Sequence, residues 1–188
     1  MRHDRAVKLC LQPHPTTPCP AVQRLHVALA CTPTQWQLRY TLEGAPHALR
    51  LPPPSPRPSP TDGLWRHTCF EAFVAAEGSP RYREFNFSPS GDWAAYAFSA
   101  PRQRDPSAPP AASPRIHCTL DAPQRLCVDV LLPAAGLPTA DPILGLSAVI
   151  EAADGTLSYW ALAHPRAQPD FHDRSGWTAH VTAAADLD

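Results

Sequence analysis

Within residues 64–91 (LWRHTCFEAFVAAEGSPRYREFNFSPSG) lie four side chains of the types that contact polar ligands: Trp65, Glu71, Glu84 and Asn86. Their spacing is that of strands. Over residues 82–87 the side chains alternate, with Phe85 and Phe87 on one face and Tyr82, Glu84 and Asn86 on the other. The Phe face requires a core; the Glu/Asn face requires solvent or a polar ligand. Glu71 falls between Phe70 and Ala72, on the face of Cys69 and Phe73. A carboxylate in so apolar a strand is costly unless paired or solvated, so Glu71 either has a cationic partner such as Arg83 or lines a cleft. Asn86 either meets a ligand or satisfies backbone groups at a strand end, and Trp65 is either a stacking platform or a core aromatic.

The elements that position these groups are short. Residues 69–75 and 82–87 read as antiparallel strands joined through Gly78-Ser79-Pro80 and stopped by Ser88-Pro89-Ser90-Gly91. Residues 22–31 alternate as a first strand, and residues 36–42 form a second that turns at Glu43-Gly44 into a short partner at 47–51. Further strands are expected at 93–99, at 115–120 and 125–132 around Asp121-Ala122-Pro123, at 143–152 and 157–164 around Asp154-Gly155, and at 177–182. Prolines number 25, many of them clustered in loops at 52–62 and 101–114. Residues 1–20 read as an extended lead-in and residues 21–188 as a single domain. About ten short strands with frequent turn signals and no helical period define an all-β sandwich or barrel.

Composition narrows the partners. The formal net charge is −1 and Lys8 is the only lysine, so nothing favours nucleic acid or an anionic membrane. No apolar run approaches the roughly 20 residues of a membrane span. The first residues lack the apolar core of a signal peptide, which makes the cytoplasm the expected location. The six cysteines have no metal-ligand spacing and read as small apolar groups that stay reduced. No GxSxG elbow, phosphate loop, dinucleotide fingerprint, HxH or HExxH is present.

Three motifs in order, LWRHTCFEAFV, YREFNFSPSGDWAAYAF and HPRAQPDFH, resemble those of bacterial DOMON-like domain proteins, relatives of the family-nine carbohydrate-binding modules. The resemblance runs from about Val22 to the C-terminus. It implies a two-sheet antiparallel β-sandwich with a ligand-binding face, agreeing with the strand count. In the sugar-binding relatives a Trp precedes a strand Glu by six positions, and Trp65 and Glu71 keep that spacing. Glu84 and Asn86 fill two polar places on the next strand, Glu84 standing where the sugar binders carry Arg. His172 sits nearest the place of a second sandwiching aromatic.

On that resemblance Trp65 would stack on the apolar face of a sugar, while Glu71, Glu84, Asn86 and His172 would take its hydroxyls. The expectation is a non-catalytic domain for a small polar ligand, a saccharide or sugar-containing metabolite, with no cofactor. Three alternatives stand beside it. The first is a haem- or metal-binding redox domain using His67, His164 or His172; the only Met is Met1, which removes the Met/His ligation of the DOMON cytochromes. The second is a protein-interaction domain. The third is a glycoside-acting enzyme with Glu71 and Glu84 as its two carboxyls.

Overall fold

The computed structural model describes residues 6–139 and 142–180. Among the described residues there are twelve strands: β1 (Val7–Pro13), β2 (Val22–Cys31), β3 (Gln35–Gly44), β4 (Cys69–Ala76), β5 (Tyr82–Phe87), β6 (Trp93–Ala100), β7 (Gln103–Arg104), β8 (Arg115–Ala122), β9 (Arg125–Pro133), β10 (Pro142–Glu151), β11 (Leu157–Ala161) and β12 (Ala179–His180). The hydrogen-bonded order is β7-β6-β5-β4-β10-β11-β1-β2-β3-β9-β8, and β12 pairs with β10. All pairings between these strands are antiparallel. β1 is the hinge of this path: five residues pair with β2, but only Gln12 and Pro13 reach β11. The path thereby folds into two facing sheets, β1-β2-β3-β9-β8 and β7-β6-β5-β4-β10-β11.

Period-2 alternation builds the core between them. Leu25, Val27, Leu38, Tyr40, Leu42, Leu126, Val128 and Val130 of the first sheet meet Phe70, Ala72, Val74, Phe85, Phe87, Leu144, Leu146 and Ile150 of the second. Tyr40 spans the gap. Its ring lies 5.1 Å from Phe70 and 6.5 Å from Phe87, and its hydroxyl donates to the Glu71 carbonyl at 2.8 Å. A fully buried phenol is thus satisfied, and β4 is pinned at Glu71 from below.

The structure departs from the sequence reading in four places. The expected lead-in contributes β1, because Val7, Leu9 and Leu11 alternate with Lys8, Cys10 and Gln12. Residues 47–51 are not the partner of β3, which is held on both sides by β2 and β9. Pro46–Ala48 forms a 3₁₀ turn instead, because Pro46 has no N–H to give a ladder. The loop at 101–114 contains β7, paired to β6. The loop at 52–62 is tied to the β5–β6 connection through Ser55 N–H to the Ser90 carbonyl at 2.8 Å and Ser59 N–H to Asp92 at 3.0 Å. Of the expected strand at 177–182, Trp177 and Thr178 lie outside any strand, Trp177 closing the 3₁₀ turn Arg174–Gly176; Ala179–His180 form β12, and residues 181 and 182 lie outside the described residues.

Candidate functional site

The second sheet has an outer face as well as a core face. Alternation puts Cys69, Glu71 and Phe73 of β4, Tyr82, Glu84 and Asn86 of β5, Phe98 of β6, Ser147 and Val149 of β10, and Tyr159 of β11 on it. The segment 162–178 crosses this face. Trp177 anchors it, lying on the bare backbone of Gly145, where a Cβ would come within 2.6 Å of the indole Nε1. The indole N–H donates to the Phe171 carbonyl at 2.8 Å, and the ring lies 5.5 Å from Phe73. Between segment and sheet is a cavity of about 440 Å³, within the usual size of small-molecule sites. Its lining includes Trp65, Glu71, Glu84, Tyr159, Phe171 and His172.

Trp65 reaches the cavity from a 3₁₀ turn, Leu64–Arg66, and is half-buried. Its ring packs edge-on against Tyr96 at 5.9 Å, and the Arg104 guanidinium lies 3.9 Å over the Tyr96 ring. Tyr159 and Phe171, 6.0 Å apart, supply further aromatic lining. The lining is therefore aromatic in part, with carboxyl groups on the sheet beneath.

Glu71 is 2% exposed and accepts one side-chain bond, from Ser147 Oγ at 3.2 Å. Burial, and then the neighbouring Glu84 charge, push its carboxyl well above the usual carboxylate range. Arg83, the expected partner, is opposite Val74 on the other face of the sheet and donates to the Pro109 carbonyl at 2.8 Å. Glu84 is 6% exposed and is also pushed up by burial, opposed by its bond from Asn86 and by the charges of Arg104 and Arg102. Among the described residues Glu71 has no ion pair, and burial and mutual repulsion favour the protonated form of these carboxyls.

His172 stands beside Glu84, with Nε2 3.6 Å from Oε2. Burial, with the Arg102 charge second, pulls its pKa down to about 4, so this contact is not an ion pair at neutral pH. Its Nδ1 lies 2.7 Å from the Tyr82 hydroxyl, which accepts the Arg102 backbone N–H at 3.0 Å. The phenol pKa is raised by burial, so it keeps its proton and donates it to Nδ1. That bond leaves the ring proton of His172 on Nε2. Rings of Phe73 and Phe98, each 5.2 Å away, hold the imidazole edge-on.

The structure thus brings Trp65, Glu71, Glu84 and His172 to one cavity and places Asn86 behind it. Asn86 is fully buried, accepts the Cys69 thiol at 3.6 Å and donates to Glu84 Oε1 at 2.7 Å. It orients Glu84 rather than meeting a ligand. Sequence reasoning missed Arg102, Arg104, Tyr159 and Phe171. Arg102 is held at φ 60°, a costly conformation for a residue with a Cβ, and donates to Asp170 at 2.7 Å.

Of the histidines weighed as haem ligands, His172 lines the cavity, while His67 bonds Glu151 at 2.8 Å and the Nε2 of His164 lies 2.8 Å from the Gln12 carbonyl. Among the described residues no group of three or more His, Cys, Asp or Glu is placed to hold a metal ion.

The fold and site define a class: an antiparallel β-sandwich with an aromatic- and carboxyl-lined cavity on the outer face of one sheet. No family model and no curated protein matches the sequence. Solved structures do. A candidate carbohydrate-binding protein from Bacteroides uniformis superposes with a TM-score of 0.59 over 89% of this chain and 83% of its own, at 14% identity. A family-nine carbohydrate-binding module from Caldicellulosiruptor kristjanssonii, in complex with cellotriose, gives 0.52 over 81% of this chain and 72% of its own, at 7% identity. The glucose complex of a family-nine module from the same organism gives 0.52 over 81% and 74%, at 8% identity. At these identities the likeness is one of fold.

Proposed function

We propose that this protein is a non-catalytic binding domain for a small saccharide or sugar-containing metabolite, and that it is a bacterial DOMON-like domain protein acting in the cytoplasm. The observation that carries the reading is the cavity itself, where buried hydrogen-bonding groups stand beside aromatic rings. A pyranose presents the complement, with C–H faces that stack on rings and an equator of hydroxyls. Trp65 stacks on the ring, Glu71 and Glu84 take hydroxyls, His172 donates from Nε2, and Asn86 holds Glu84 in place. The sugars named with the two solved modules support a saccharide as the ligand class. A cytoplasmic location favours a soluble sugar derivative, such as a cell-wall precursor, over a polymer.

The placement of the carboxyls supports binding over cleavage. Glu71 and Glu84 rise from adjacent strands of one sheet and meet a ligand from the same side, whereas glycoside hydrolysis sets its two carboxyls on either side of the bond. A thermal-shift screen against mono- and disaccharides and sugar nucleotides tests the proposal. A ligand at about 100 times its Kd adds roughly 2.7 kcal/mol, a readily measured shift. The expected result is a shift that Trp65→Ala abolishes. A flat response to every saccharide, with a protein partner captured instead, would sink the reading in favour of an interaction domain.

A further inference from the structure

The charges around the cavity do not balance from floor to mouth. At the mouth each cation has a partner: Arg102 donates to Asp170 at 2.7 Å, and Arg104 lies 3.7 Å from Asp62, itself bonded by the Tyr96 hydroxyl. On the floor neither acid has one among the described residues. Glu71 accepts only the Ser147 hydroxyl among the described residues, and the contact of Glu84 with His172 involves a neutral imidazole. Arg102 and Arg104 act on Glu84 only from a distance.

We propose that the sugar bound here is an amino sugar, whose ammonium group docks between Glu71 and Glu84 on the cavity floor. The inference rests on the saccharide reading above and adds the ligand's charge. Three features converge on it. Two nine-tenths-buried carboxyls from neighbouring strands share one face and lack a paired cation. An ammonium has three donors, enough to reach both acids at once. The electron-rich faces of Trp65, Tyr159 and Phe171 at the same cavity also attract a cation. An anionic sugar would bring a further negative charge to the same floor. A neutral hexose would bring hydroxyls to the acids but no charge to pair with them.

Binding carries a proton balance. Where a floor acid is protonated, the incoming ammonium displaces that proton as R–NH₃⁺ + HOOC–Glu → R–NH₃⁺···⁻OOC–Glu + H⁺. No covalent bond changes. The groups facing this exchange are Cys69 on β4, Tyr82 and Glu84 on β5, Tyr96 on β6, Arg104 on β7, Tyr159 on β11, and Asp62, Arg102, Asp170 and His172 on the loops, with Tyr40 beneath. His172 is neutral well above pH 4 and Cys69 is pushed up by burial, so a proton released on binding near pH 7 comes from the floor acids.

Calorimetric titration of the full chain at pH 7 with D-glucosamine, D-glucose, N-acetyl-D-glucosamine and D-glucuronate, in two buffers of different ionisation enthalpy, tests this. Glucosamine is expected to bind about tenfold tighter than glucose, the step from a neutral to a charge-assisted hydrogen bond. Its heat should differ between the two buffers as protons are released, and glucuronate should bind most weakly. Glu71→Gln and Glu84→Gln, folded by circular dichroism, should each narrow the glucosamine–glucose gap. Equal affinity for glucose and glucosamine, or tighter glucuronate, overturns the ammonium assignment and leaves the saccharide reading standing. Binding of none of the four overturns both.

Discussion

Replacing Glu71 by Gln should stabilise the empty protein at neutral pH while weakening its affinity for a charged ligand. In the folded chain the Glu71 carboxyl is fully buried without a cation, and its pKa is raised from the ordinary 4.5 chiefly by burial and then by Glu84. An acid raised on folding binds more protons in the native state than in the unfolded one, so stability falls as pH climbs above 4.5. At about 1.4 kcal/mol per pH unit, holding that proton to pH 7 costs at most about 3.5 kcal/mol, and at pH 4 almost nothing. Glutamine has the same shape and carries no charge to desolvate. Urea unfolding of both chains between pH 4 and 8, under reducing conditions because the cysteines are free thiols, should give curves that coincide near pH 4 and diverge toward 8. The depressed pKa of His172 imposes an opposite slope between pH 4 and 6.5, but it acts in both proteins and largely cancels in the difference. For a chain of this size the gain at pH 7 corresponds to roughly 5–10 °C in Tm. A Glu71→Gln protein that is less stable at pH 7, or offset equally at every pH, would refute the claim that the acid sits there at an energetic cost.

Other perturbations separate the cavity's parts. Trp65→Ala should leave the unfolding midpoint nearly unchanged, since the ring is half-buried on a 3₁₀ turn, but lower saccharide affinity by tenfold or more in a titration. Gly145→Ala drives a methyl into the Trp177 ring and should cost about 1–3 kcal/mol in denaturant unfolding, with binding lost as segment 162–178 shifts. Tyr82→Phe strips the donor from His172 Nδ1 and the acceptor from the Arg102 N–H; a loss of about 1–3 kcal/mol and a changed His172 ring-proton signal in NMR are expected. The imidazole itself should titrate near 4 rather than 6.5. Its native state therefore contributes stability that is present above 6.5 and lost as pH falls through 4, up to about 3 kcal/mol.

Short-range alternation made much of the fold legible. The Phe85/Phe87 and Glu84/Asn86 faces of β5 are as the pleat requires, and the turns at Asp121-Ala122-Pro123 and Asp154-Gly155 join paired strands. What was not legible is non-local. β3 finds its second neighbour in β9, where Arg39 meets Asp129, 90 residues onward, and no local pattern distinguishes that partner from residues 47–51. The cavity divides the same way. Trp65, Glu71 and Glu84 carry their own signals, but Phe171 and His172 reach the sheet because segment 162–178 is held by Trp177 on Gly145. The Arg83 pairing was an avoidable error: Arg83 adjoins Glu84, so the pleat turns it away from the face that Glu84 shares with Glu71.

That parity bears on why the acids lie where they do. A fold selected for stability alone would put apolar side chains at 71 and 84, since replacing uncompensated buried charge by well-packed apolar groups is neutral or stabilising. The chain instead surrounds them with supports. Tyr40 fixes the Glu71 carbonyl from the core, Asn86 fixes Glu84 Oε1, and Tyr82 holds His172 at Nδ1, which leaves its Nε2 beside Glu84. Each support is itself buried or half-buried and satisfied, so the carboxyls are held at defined positions facing the cavity. Energy stored in oriented, underpaired acids is recovered only when something that satisfies them enters. This is why the gain in stability and the weakened binding are predicted to occur at one residue, Glu71.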